Sequence, residues 1–170
     1  MAEPLLRMRV GIVVERRNAV TAWAEHVWRP VAVLVGEPEA APWTELSRSS
    51  DAVMFYAGSA DIGLFRTETA QYRDNLASEQ PALWVVLRPT GYEPPFDLVL
   101  VTADPAEGEA ATQAGADLVE TVAMPESIAA VVAQFVAEHH VEQEFFKRKR
   151  DKADPNALGI RPRVPRNGRR

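Results

Sequence analysis

Apolar and polar residues alternate almost from the start of the chain. Met8, Val10, Ile12 and Val14 are interleaved with Arg9, Gly11, Val13 and Glu15, the period of two that marks a strand. Asn18 to Glu25 reads as a connection. A second strand is expected from Trp28 to Gly36, with Pro30 placing that end at a sheet edge or strand start. Trp43 to Arg48 gives a third strand and Val53 to Ala57 a fourth. Gly58-Ser59-Ala60-Asp61 has turn composition, and the alternation resumes through Ile62, Leu64 and Arg66, so a hairpin is expected there. Leu83 to Arg88 is apolar on both faces and is expected to be central in a sheet. Phe96 to Thr102 is another strand, and Asp117 to Val122 a short extended segment.

The pattern changes period in three places. Thr67 has the chemistry of a helix N-cap, followed by Glu68 in the first turn, for a helix running to about Ser78 with Tyr72 and Leu76 on one face. Asp104-Pro105 is a cap followed by proline at the first helical position, and Gly115 is the matching stop. After Pro125, the residues Ile128, Val131, Val132, Phe135 and Val136 repeat with helical spacing, and that helix is expected to pass His140 and fray near Lys149. Short turns between successive strands favour antiparallel pairing. The expected fold class is α+β: a mainly antiparallel, curled sheet with one inserted helix and a C-terminal amphipathic helix over one face.

Charge divides the chain into two parts. Residues 147–170 carry ten basic side chains against Asp151 and Asp154, a net +8, and include every lysine of the protein. Residues 1–146 hold nine basic and 22 acidic side chains, a net −13. The basic part also contains three prolines, two glycines and few large apolar residues, too little to offset its chain entropy. The expected organisation is therefore one domain over 1–146 and a disordered basic tail over 147–170. The tail reads either as an arm for an anionic partner or as a solvated segment that folds back on its own acidic body.

Composition removes several chemistries. Without cysteine there are no disulfides, thiolate nucleophiles or zinc knuckles. No phosphate-binding glycine loop with lysine, nucleophile elbow or zinc-protease helix is present. Adjacent His139 and His140 point about 100° apart on a helix, so neither a metal nor a cofactor is expected from them. No stretch approaches a membrane span and no signal-peptide pattern opens the chain, so a cytoplasmic location is expected.

Three groups remain as candidates. Arg66, Glu68, Tyr72, Arg73 and Asn75 crowd the inserted helix and read either as a site for a polar or anionic ligand or as a capped helix with polar support. Trp23, His26, Trp28 and Arg29 lie within seven residues and read as a ligand pocket, a protein-binding patch or ordinary packing. Lys147-Arg148-Lys149-Arg150 has nucleic-acid-like composition, but the acidic body opposes phosphates, so nucleic acid is not the expected main partner.

Several strings together resemble a known family. They are Val13-Val14-Glu15-Arg16-Arg17, Trp28-Arg29-Pro30-Val31, Thr67-Glu68-Thr69 with Tyr72-Arg73-Asp74-Asn75-Leu76, Ala82-Leu83-Trp84-Val85-Val86-Leu87-Arg88, Val101-Thr102-Ala103-Asp104-Pro105, Phe135-Val136-Ala137-Glu138-His139-His140 and Phe146-Lys147-Arg148-Lys149-Arg150. They are similar to the proteobacterial domain of unknown function 3305 family, over nearly the whole chain. Members are often encoded beside molybdenum-dependent formate dehydrogenases. The resemblance implies a role in maturation or assembly of such an enzyme and supplies no catalytic residue. The expectation is a non-enzymatic accessory protein with a protein partner, a formate dehydrogenase subunit. The alternative is a small-molecule or cofactor-binding enzyme of unknown reaction.

Overall fold

The computed structural model describes residues 2–142 apart from 20 and 22. Four strands, β1 (Leu6–Asn18), β2 (His26–Val35), β3 (Thr44–Arg48) and β4 (Ala52–Leu64), form one antiparallel sheet in the order β2-β1-β4-β3. A 3-10 turn at Arg66–Glu68 leads into helix α1 (Thr69–Ala77). Strands β5 (Ala82–Pro89), β6 (Phe96–Thr102) and β7 (Leu118–Ala123) form a second antiparallel sheet in the order β6-β5-β7. Helix α2 (Pro105–Ala114) connects β6 to β7, and α3 (Glu126–His139) follows. Antiparallel pairing holds throughout, but in two sheets rather than one curled sheet, and with three helices. The excursion through α1 breaks the ladder after β4, and β5 starts a new one whose partners are both later in the chain.

The core lies between the sheets. Val10, Ile12 and Val14 of β1 and Ile62 and Leu64 of β4 meet Leu83, Val85 and Leu87 of β5, with Tyr72 of α1 and Ile128, Val132 and Phe135 of α3 closing one end. The other face of β5 is covered too: α2 approaches so closely that a Cβ at Gly108 would collide with the Trp84 indole. This two-sided cover is why the strand is apolar on both faces. β5 is central in its sheet, as expected.

Local chemistry explains where expectation and structure agree or part. Asp104 caps α2 by accepting from the Ala106 N–H, Pro105 follows it, and Gly115 closes the helix at φ 77°. Pro30 sits in β2, an edge strand, opposite Val14 at an irregularity in the register, where a missing N–H is tolerated. The turn expected at Gly58–Asp61 is instead the middle of one 13-residue strand. Equally long β1 gives it partners on both sides of Gly58, which takes φ 132° at a β-bulge and bends the strand without reversing it. Thr67 does not cap α1; its hydroxyl pairs with the Glu68 carboxylate, and the helix begins at Thr69 with no side-chain cap.

Helix α3 stops at His139 rather than passing His140. The His140 N–H still closes the last turn on Val136, but its backbone is extended (ψ 123°) while its ring is held by α1. The segment toward Lys149 and the basic tail 147–170 lie outside the described residues. Among the described residues, no helix is long and apolar enough to cross a membrane.

Candidate functional site

Helix α1 distributes its polar residues among three environments. Asn75 faces inward and is buried; its amide nitrogen donates to the Ala82 and Ala103 carbonyls at 2.8 and 2.9 Å, and its oxygen accepts from the Ala82 N–H at 3.0 Å. It clamps the helix to the start of β5 and the end of β6. Tyr72 is also buried, edge-on to Phe135, and its hydroxyl accepts the Phe65 N–H at 3.0 Å. Burial pushes the phenol up to about 12, with the Asp104, Glu68 and Glu107 carboxylates adding to that rise against the opposing Phe65 hydrogen bond. Glu68 and Tyr72 line one 340 Å³ hollow together with Asp104 and Glu107.

Arg73 points elsewhere. It lines a 490 Å³ cleft with Thr67, Thr69 and Ala70 on one side and His140, Val141 and Glu142 on the other. Its Nη1 lies 3.0 Å from His140 Nε2, and Thr69 Oγ1 lies 3.0 Å from His140 Nδ1. A guanidinium can only donate, so Nε2 must accept, and the ring proton sits on Nδ1 and is given to Thr69. Thr69 in turn donates to the Arg66 carbonyl at 3.4 Å. The relay runs Arg73 to His140 to Thr69 to backbone, with the imidazole neutral. Arg66 itself is exposed and contributes that carbonyl. The five residues grouped by sequence therefore split into a core clamp, an acidic hollow and a cationic cleft, the last two sharing Thr67 at their boundary.

The tryptophan group separates as well. Trp23 is 96% exposed in the β1–β2 connection, away from the other rings. His26 begins β2, and its buried Nδ1 has no hydrogen-bond partner among the described residues. Arg29 lies on the opposite sheet face from Trp28 and pairs with Glu15 at 3.6 Å. Glu15 is buried between Arg17 and Arg29, and the Arg17 hydrogen bond, helped by both charges, holds its carboxyl below the usual carboxylate range.

Trp28 enters an aromatic cluster that no local string announces. Its ring lies 6.0 Å from Trp43, 5.8 Å from Phe55 and 5.8 Å from Phe96. Trp43 and Phe96 stack at 6.5 Å across the two sheets. The Arg16 guanidinium lies over both Trp28 and Phe55, at 5.7 and 5.3 Å from their centroids, a geometry that attracts a cation to the ring faces. All five side chains are half-buried. The register explains the meeting: Arg16 is directly opposite Trp28 on β2 and Val53 on β4, two residues before Phe55. Sequence reasoning missed Arg16, Trp43, Phe55 and Phe96, because their proximity depends on strand register and on the second sheet. Beside them runs β3, an edge strand exposed along its whole length, with Leu46 outward.

Lys147, Arg148, Lys149 and Arg150 lie outside the described residues. No curated protein and no solved structure matches the chain. The chain belongs to the family described as "Protein of unknown function (DUF3305)", whose model matches residues 9–150, nearly every element described above.

Proposed function

We propose that this protein is a non-enzymatic accessory protein that binds a subunit of a molybdenum-dependent formate dehydrogenase during maturation or assembly. The observation that carries the protein-binding part is the aromatic end of the inter-sheet core. There Arg16 lies over Trp28 and Phe55, with Trp43 and Phe96 alongside, all partly open to solvent. Tryptophan and arginine are enriched among the few residues that carry most interface binding energy, tryptophan through its large rigid area and arginine through its planar, directional donors. The adjoining β3 edge offers unpaired backbone groups to which an extended partner segment can add. The basic residues 147–170 would contribute long-range attraction to an acidic partner. The choice of partner rests on the family's usual genomic neighbours.

The test is affinity purification from the native cell with three forms: intact, Arg16→Glu and lacking 147–170. The intact protein should retain a formate dehydrogenase subunit. Arg16→Glu should lose it while remaining folded, with a melting temperature lower by only a few degrees. The tail-less form should retain less, with the deficit largest at low salt. Absence of that subunit from the intact sample, or equal retention by all three forms at low salt, defeats the reading.

A further inference from the structure

The cleft between α1 and the segment after α3 is a separate matter from the aromatic end. Its volume, 490 Å³, falls within the range of small-molecule sites. One wall carries Arg73, whose guanidinium offers five N–H donors in a planar fork. Among the described residues its partners are His140 through Nη1, Asp74 at 3.5 Å from Nε and Glu142 at 3.9 Å from Nη1. The His140 contact is the one with good geometry, and it aims the side chain: the ring is itself fixed by Thr69, so Arg73 is braced rather than free to wander. A cation braced by a neutral imidazole keeps its charge unneutralised at that contact.

The two carboxylates do little to change this. Asp74 is 70% exposed at 3.5 Å, and Glu142 is 86% exposed at a distance beyond a hydrogen bond. Pairs of this kind contribute next to nothing and exchange readily with solvent. Glu142 nevertheless shows that a carboxylate can enter the cleft and face the arginine.

We propose that this cleft binds the oxyanion group of a small molecule, phosphate or carboxylate, with Arg73 as the positioned cation, His140 and Thr69 as its brace, and Glu142 as a weak internal competitor that the ligand displaces. Arginine suits both groups because its fork matches two oxygens at once. The proposal predicts opposite effects for two neighbouring substitutions. Arg73→Gln removes the charge and the fork, whereas Glu142→Gln removes only the competitor. Glu142 is 86% exposed and Arg73 48%, and neither belongs to the buried core.

The experiment is calorimetric titration of the full-length protein with inorganic phosphate, AMP and citrate in turn, at matched ionic strength, which separates a bare anion from an oxyanion carried on a larger molecule. At least one of the three should bind saturably. Arg73→Gln should weaken it by about tenfold to a hundredfold, the value of a charge-assisted hydrogen bond. Glu142→Gln should tighten it by about two- to fivefold, the range of an exposed pair. Unchanged melting temperatures would confirm that both variants are folded. No saturable binding of any of the three, affinity unchanged by Arg73→Gln, or weaker binding in Glu142→Gln overturns the proposal.

Discussion

The two ends of the inter-sheet core solve the same problem differently. At the helical end, polar atoms are drawn inside and satisfied: Asn75 uses its amide on three backbone groups, and the Tyr72 hydroxyl takes the Phe65 N–H. At the other end, Trp28, Trp43, Phe55 and Phe96 fill the gap between the sheets with rings, under the single cation of Arg16. A buried hydrogen bond is costly to break and commits its own atoms to the fold. A half-exposed ring stack is cheap to disturb and keeps surface in reserve. The contrast separates residues that hold the fold from residues available to a partner.

That separation is breakable by measurement. The largest effect should come from Asn75→Ala, which orphans two carbonyls and an N–H in a closed site; a loss of about 3 kcal/mol in denaturant unfolding is expected. Gly108→Ala comes next, at about 1–3 kcal/mol, because the new methyl forces the Trp84 ring or α2 to move. Tyr72→Phe should cost about 1–2 kcal/mol by leaving the Phe65 N–H without its acceptor.

Tyr72→Phe should also remove a pH dependence. The folded-state phenol value is raised from the ordinary 10.0 to about 12, so its contribution is complete below pH 10 and is lost as the pH rises toward 12. Unfolding midpoints followed through that window should fall more steeply in the wild type than in the variant. The smallest stability effect is expected at the opposite end: Arg16→Ala should change stability by only about 0.5–1 kcal/mol, while reducing partner retention. A large loss of stability from Arg16→Ala, or lost partner binding in a folded Tyr72→Phe protein, would reverse the assignment of the two ends.

Parts of the fold were legible residue by residue. Asp104-Pro105 and Gly115 delimit α2 because capping is a contact between chain neighbours, and the Tyr72–Leu76 face and the two-sided apolarity of β5 follow from period alone. The misreadings arise where another contact outweighs a local preference. Gly58-Ser59-Ala60-Asp61 has turn composition, yet the ladder to β1 outweighs it. Thr67 has a cap's side chain, yet spends it on Glu68. His140 continues a helical pattern, yet its ring is bound to Arg73 and Thr69, far away in sequence. For the Gly58 segment and His140 a distant partner, and for Thr67 its immediate neighbour, competes with a local preference worth only about 1 kcal/mol. The same limit applies to the candidate sites: Arg73 and Glu68 are close in sequence but line different hollows, whereas Arg16 and Phe96 are distant in sequence and meet through Trp28.

By itself, the sequence determined the α+β class, the antiparallel pairing, the apolar faces, the family and the division of charge between residues 1–146 and 147–170, since each depends on residue type, order or count. The tertiary structure alone decided that there are two sheets, which tryptophan joins the aromatic end, that Asn75 is a clamp and that Arg73 meets His140. Those outcomes depend on register and on the packing of one sheet against the other. A shift of one residue in register moves every side chain to the opposite face while leaving the sequence pattern unchanged.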